Sequence, residues 1–335
     1  MRRTWALTAI AVAIAGCSAP TTGSTAAKGT TAMNVIVPDP GNFTSGMPVY
    51  VGIAQGFFKA QGISVNVVDT TGGATNVAAV LAGKGAIGVD TGPVSVISAD
   101  LHGAGLKILA ADTTGMDILF FAKAGSGITT LQDLSGKKVG YSSPGSSSEV
   151  ALNAVNTILK SDGLSPATGE AIGGPPQEYT AVETGQIDAG FTAAPNLFSD
   201  VDNGSIKLLT SMSTYPAYTD VAARVIFGSG SFISSNPSLV KGFLTAWQES
   251  WTYAFGHHAQ AMADWKKGAD LSESVSVLET GFDYYTATTQ RLYPIDGLQR
   301  DISDAISLGV LKSALTSSQL NADMITSFAQ QVVGG

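Results

Sequence analysis

Pro48-Val-Tyr-Val-Gly-Ile-Ala-Gln-Gly-Phe-Phe-Lys-Ala-Gln-Gly-Ile-Ser-Val65 changes its hydrophobic period once, and that change decides the fold. Pro48 suits the first turn of a helix, where an N–H would have no partner anyway. Val49, Ile53 and Phe57, with Tyr50, Ala54 and Phe58, then form an apolar stripe that ends at Gly62. From Ile63 the apolar positions crowd into a short run that reads as a strand over 63–68. A helix that hands over to a strand across one glycine is half of an α/β unit.

The same alternation runs outward in both directions, which implies a largely parallel sheet flanked by helices. Residues 34–38 form a strand before the quoted stretch, and 39–45 connect the two. After it, Thr71-Gly-Gly73 turns into a helix reaching Leu81, 86–89 is a strand, Thr91-Gly-Pro93 opens a helix to Leu101, and 106–110 is a strand. The pattern restarts near Ile118, with strands at 118–122, 138–142, 187–191 and 206–209. Helices fill 150–160 and 179–184 between them. Residues 221–227 read as a strand returning to the first half, and the remainder is mostly helical. There Asn236-Pro237 opens a helix with Val240, Phe243, Leu244, Trp247, Trp251 and Ala254 at helical spacing. The tryptophans read as core.

The N-terminus adds an address. Arg2 and Arg3 precede an apolar stretch too short to span a bilayer, and small residues lead to Cys17, the only cysteine. Ile14-Ala15-Gly16-Cys17 resembles the lipobox of bacterial lipoproteins, where cleavage before the cysteine frees its thiol for acylation. Residues 1–16 are therefore expected to be a signal peptide, Cys17 the lipidation site, and 17–32, rich in Ala, Thr, Ser and Gly, a flexible tether. The expected location is the outer face of a bacterial membrane. Loss of both arginines takes the formal charge from −8 to −10, since 1–16 carries no acid. Such a surface argues against nucleic acid as a partner. A single cysteine leaves no internal disulfide, so stability must come from burial.

Four pieces in this order resemble the solute-binding proteins of ABC importers. The quoted stretch matches their opening helix and strand, and Thr71-Gly-Gly73 with Leu81-Ala-Gly-Lys-Gly85 continues it. Leu131-Gln-Asp-Leu-Ser-Gly-Lys-Lys-Val-Gly140 looks like their second-lobe entry, and Val182-Glu-Thr-Gly-Gln-Ile-Asp-Ala189 with Pro195 like a later segment. The nearest group serves nitrate, alkanesulfonates, taurine and thiamine-pyrimidine precursors. The resemblance implies a two-lobed type II periplasmic-binding-protein fold, each lobe an α/β sheet flanked by helices. Lobe 1 would comprise 33–115 and 225–335, including a helical C-terminal segment, and lobe 2 would comprise 116–224. A small ligand would be captured between them and delivered to a membrane permease driven by an ATPase, by a monomer without cofactor or metal.

The candidate ligand-binding residues sit on loops leaving strand carboxyl ends, where open α/β sheets bind ligands. They are Asn42 and Phe43, then Thr71, Gly72 and Gly73, then Thr91 and Gly92, then Ser142, Ser143, Gly145 and Ser146. Each later turn opens a helix, whose free N–H groups favour an anion. A small organic or inorganic anion is thus the first expectation, with a neutral heteroaromatic such as a pyrimidine, or a role as exported ligand sensor, as alternatives. Two residues stay open in role. Glu149 is either the partner of Ser146 in a capping box or a cleft carboxylate. Arg224, in an apolar strand, is either in a structural ion pair or facing the cleft. Thiamine pyrimidine synthases share the implied fold, but they depend on a cysteine-rich motif and a histidine. Here Cys17 belongs to the anchor, and His102, His257 and His258 match no catalytic motif, so no enzyme activity is expected.

Overall fold

The computed structural model describes residues 29–219, 221–290, 292, 299–309, 311–316, 318–319 and 327–333. Cys17, the expected signal and most of the expected tether lie outside the described residues. The first strand, β1, covers Thr31–Pro38 and so begins inside the stretch read as tether.

The remaining strands are β2 (Ile63–Thr70), β3 (Ile87–Thr91), β4 (Leu106–Thr114), β5 (Leu119–Lys123), β6 (Lys138–Tyr141), β7 (Thr168–Ala171), β8 (Ala189–Thr192), β9 (Ile206–Ser211) and β10 (Ala222–Ser229). They form two five-stranded sheets in the orders β2-β1-β3-β10-β4 and β7-β6-β8-β5-β9. In the first, β1 pairs parallel with β2 and β3, while β10 runs antiparallel between β3 and β4. In the second, β6 pairs parallel with β7 and β8, while β5 runs antiparallel between β8 and β9. The two sheets therefore share one design, in which the strand arriving from the other sheet is the antiparallel one. β10 is almost wholly buried and apolar apart from Arg224, as a strand covered on both sides must be.

Helices α1 (Gly46–Ala54), α2 (Phe57–Ala60), α3 (Gly73–Leu81) and α4 (Pro93–Leu101) belong to the first sheet, and α5 (Ser147–Ser161), α6 (Pro175–Glu183) and α7 (Phe198–Asp202) to the second. After β10 come α8 (Gly230–Ser235), α9 (Pro237–Gly256), α10 (His258–Gly268), α11 (Val275–Glu279) and α12 (Gln299–Ser307). The helix read as continuous from Pro48 to Gly62 breaks at Gly56, whose φ of 78° ends α1 and starts α2. The break rotates the stripe, so that Ile53 is 41 % exposed while Val49, Val51 and Phe58 are buried.

α1 packs on α9 and α10 over one face of the first sheet, where Trp247, Trp251 and Trp265 are fully buried. A second cluster joins the other face, α3 and α4 to the core beneath α5. α12 touches both α4 and α5, and Ile302 and Ala305 bury there, so the C-terminal region ties the two sheets together.

Candidate functional site

Four helices begin at the facing ends of the two sheets. α3 starts at Gly73 and α4 at Pro93, both directly after strands of the first sheet. α5 starts at Ser147 and α6 at Pro175 on the second. Their N-termini converge on one cavity of about 60 Å³, lined among others by Asn42, Gly72, Gly92, Ser146, Phe191 and Arg224. Each helix N-terminus carries unpaired N–H groups and about half a positive charge, so the cavity is suited to a compact anionic or acceptor group.

The sheets touch around this cavity. Ala74 N–H donates to Ser143 Oγ at 3.3 Å, and Ser147 Oγ donates to the carbonyl of Ala223 on β10 at 2.7 Å. A Cβ built on Gly92 would lie 2.9 Å from Ser147 N, so only glycine lets the two helix starts approach this closely. Gly145, with φ of 77°, turns the serine loop so that its backbone packs on Ser95.

Of the twelve candidate residues, Asn42, Thr71, Gly72, Gly73, Gly92, Ser142, Ser146 and Arg224 line the cavity. Four do not. Phe43 is fully buried on the opposite side of its loop, stacked on Tyr285 at 5.1 Å and against Trp251, Trp265 and Phe282. Its expectation as a ligand contact is corrected: the chain turns Asn42 inward and Phe43 into the core. Thr91 is buried and receives a hydrogen bond from Asn76 Nδ2 at 2.5 Å, which fixes β3 to α3. Ser143 and Gly145 shape the contact between the sheets. Tyr179, Tyr215 and Tyr218 also lie away from the cavity wall.

Glu149 is a helix cap. Ser146 Oγ accepts from Glu149 N–H at 3.3 Å, and the Glu149 carboxylate accepts from Gly145 N–H at 2.6 Å. The reciprocal bond thus reaches one residue further back than in the usual capping box.

Arg224 satisfies both of its readings. It is 5 % exposed on the cavity wall, with Nε 3.3 Å from Asp90 and Nη1 bonded to Asp117. Tyr285 Oη also donates to Asp117, at 2.7 Å. Burial works against the guanidinium charge, but Asp117 and Asp90 outweigh it and hold Arg224 protonated. Burial raises Asp90 well above the usual carboxylate range; Arg224 opposes this, and Asp112 and Asp117 add to it. Asp112, whose Oδ2 accepts from Asp90 N–H, is pushed up to about 7, again chiefly by burial. One cation therefore serves a buried group of carboxylates.

Sequence reasoning missed the acids of the site. Asp39 and Asp90 both line the cavity, both end a strand, and both hold left-handed backbones with φ of 55° and 53°. Such strain in a non-glycine residue persists only where the surroundings impose it, commonly at functional sites. The available signal was an acid closing an apolar run just before a glycine or proline turn, as in Val37-Pro-Asp-Pro-Gly41 and Val89-Asp-Thr-Gly-Pro93. Pro38, Ile118, Ser147, Ser148, Gly174, Pro175, Phe191 and Ala193 complete the unforeseen wall. The three histidines lie elsewhere, at the end of α4 and around the α9–α10 junction. Among the described residues, no group of three His, Cys, Asp or Glu is placed to hold a metal ion.

Comparison with known proteins places the chain. Solved structures of the same architecture include the alkanesulfonate-binding protein SsuA of Xanthomonas axonopodis pv. citri, bound to MOPS (TM-score 0.73, 15 % identity, 89 % of this chain and 99 % of that one). The nitrate-binding protein NrtA of Synechocystis PCC 6803 is also similar (TM-score 0.69, 12 % identity, 91 % and 89 %). So is the desulfurization enzyme DszB (TM-score 0.61, 14 % identity, 90 % and 99 %), so the fold hosts both binding and chemistry. A search of curated proteins returns no match. The family described as NMT1/THI5 like matches residues 44–261, more than half of the chain. The chain belongs to the NMT1/THI5-like family and has the two-lobed type II periplasmic-binding-protein fold.

Proposed function

We propose that the chain is the solute-binding component of an ABC importer, anchored by lipid at Cys17 and holding a small anionic group between its two sheets. The observation that carries this reading is the convergence of helix N-termini from both sheets on one polar cavity beside Arg224. By volume the cavity admits about two waters, which suits a nitrate, a sulfonate or a carboxylate end better than a whole aromatic ring. The division into lobes at 33–115 with 225–335 and at 116–224 belongs to the same reading, with the crossings near Asp117 and Val221 as the hinge.

Capture would involve no covalent step. A ligand that contacts both sheets binds the closed arrangement better than the open one and shifts the equilibrium toward it. The positions of the histidines, away from the cavity, support binding over catalysis. A permease would take the ligand from the tethered protein.

The test is a thermal-shift screen over nitrate, sulfonates, short carboxylates, pyrimidines, flavins and aromatic acids. A ligand at about 100 times its Kd stabilises the folded state by about 2.7 kcal/mol. A rise with the anions and none with pyrimidines is the expected result; a melt unmoved by the whole panel would refute the proposal. Export and acylation are tested separately, by mass spectrometry of Cys17 and by release of a Cys17→Ser variant from the membrane fraction.

A further inference from the structure

Beyond β10 and β5 the two sheets end in the edge strands β4 and β9, and a cavity of about 190 Å³ lies where these strands finish. Thr113 lines it from the end of β4 and Ser211 from the end of β9. Asp117 lines it from the crossing between β4 and β5, and Ser213 and Thr219 from the crossing between β9 and β10. The two crossings are bonded to each other: Gly115 N–H donates to the carbonyl of Val221 at 2.9 Å, and Met116 N–H to that of Tyr218 at 2.8 Å. Tyr285 and Gln290, from the stretch after α11, close the space. Among the described residues this cavity shares no lining residue with the one at the helix N-termini. Asp117 stands between the two, bonded on one side to Arg224 and on the other to Tyr285.

One group on this wall is unanswered. Gln290 is 1 % exposed and its Oε1 accepts from Thr113 Oγ at 3.2 Å, but its Nε2 is buried without a hydrogen-bond partner. Buried polar atoms are nearly always paired, so an orphan amide on a cavity wall marks a place where the occupant supplies the acceptor.

The hydroxyls around it have largely committed their protons. Thr219 Oγ donates to the carbonyl of Pro216 at 3.0 Å, Tyr285 Oη to Asp117 at 2.7 Å, and Ser211 and Ser213 share one bond of 2.7 Å. A hydroxyl oxygen that donates still accepts. The wall therefore offers several acceptors and one free donor, and its carboxylate is already matched by Arg224. An ammonium could not accept from Gln290, and an anion would meet few free protons. A neutral molecule whose every oxygen both donates and accepts answers the whole wall. The space equals that of about six waters, which is room for a polyol of about three to five carbons.

We propose that this cavity is a second ligand site, for a compact neutral polyol, and that its occupancy favours the closed arrangement of the sheets. The polyol accepts from Gln290 Nε2 and donates to the hydroxyl oxygens of both crossings. Opening at the helix N-termini swings the sheets about those crossings and brings the ends of β4 and β9 together. A polyol held between them resists that swing. The site stands on its own geometry; its coupling to the first cavity rests on the solute-binding reading above. Such coupling is reciprocal, so a ligand in either cavity tightens the other.

The test is calorimetric titration with glycerol, erythritol and xylitol at millimolar concentration, far below the range in which excluded co-solvents stabilise any protein. At least one is expected to bind saturably. Gln290→Met, close in volume but without the amide, should weaken that binding about tenfold, as the loss of one buried hydrogen bond implies. Ser213→Tyr fills the cavity from an exposed position, should abolish polyol binding, and guards against misfolding of the first variant. Saturating polyol should tighten nitrate or methanesulfonate binding about fivefold or more, and should have no such effect in Gln290→Met. No saturable binding of any of the three polyols, or binding that both variants leave intact, would overturn the site. Saturable binding with an unchanged anion Kd would overturn the coupling. Failure of both anions to bind would count against the solute-binding reading, whereas polyol binding lost in Gln290→Met would still establish the site.

Discussion

Gly92→Ala is the substitution that most cleanly separates closure from folding. Gly92 has φ of −56° and ψ of 128°, a conformation open to any residue, so alanine introduces no backbone strain. Its methyl would stand 2.9 Å from Ser147 N, 3.1 Å from Ser147 Oγ and 3.2 Å from the carbonyl of Gly145, all across the cleft. Two of these three atoms are backbone at the start of α5 and cannot rotate away, so the helix start must shift. Overpacking of this kind costs about 1–3 kcal/mol. An arrangement with the sheets apart relieves it, because the three nearest atoms all belong to the second sheet's helix start and the loop before it. The whole cost therefore falls on the closed form, and the apparent Kd should rise about 5- to 150-fold. Titration calorimetry would measure that rise, and a melt of the unliganded protein should move little. An unchanged Kd, or a loss of unliganded stability as large as the loss of binding, would refute the idea that this contact forms on closure.

Other substitutions probe the parts separately. Arg224→Met leaves Asp90 and Asp117 buried without their cation and should cost about 3–5 kcal/mol in urea unfolding. Adding Asp90→Asn and Asp117→Asn should restore most of it, and failure of that rescue would mean that the pair is not the source. Glu178, fully buried on α6 with its carboxyl against Gly140 and Gly190, is raised by burial to about 9. Between the unfolded value near 4.5 and that folded value, the native state holds a proton that the unfolded chain has lost, so stability should fall as pH rises. Glu178→Gln should flatten this slope, which melts at pH 5, 7 and 9 would show; an unaltered slope would contradict the burial argument. Trp247→Ala opens the core between α9 and the first sheet and should cost about 3–5 kcal/mol without touching the site. Equal losses in binding affinity and stability would argue against that separation.

Much of this architecture is legible in the sequence because period and punctuation agree. Glycine or proline turns follow the apolar runs of β1, β2 and β3, and each of the last two opens the helix expected of it. Those turns, with the one after β6, are also the floor of the cavity, so seven of the eight lining candidates follow from position alone, and Arg224 from its charge in an apolar strand. The failures have physical causes. β7 is a short, mostly exposed edge strand, Thr168-Gly-Glu-Ala171, with no apolar alternation to reveal it. Phe43 could not be told from a stacking residue, because its burial depends on Tyr285 and Trp265, more than two hundred positions away. Asp39 and Asp90 were passed over because an acid after a strand usually makes a turn. The importance of Asp90 lies in burial against a cation that it shares with Asp117, which only the packed structure supplies.

The central claim is that a ligand bound at the helix N-termini draws the two sheets together. Spin labels at Leu81→Cys, 50 % exposed at the end of α3, and Leu164→Cys, 37 % exposed after α5, would report it in a Cys17→Ser background. Pulsed dipolar spectroscopy should give a broad, longer distance without ligand and one shorter, narrow distance at saturation with a compound that raises the melt. Saturated binding with no change in that distribution would contradict the account.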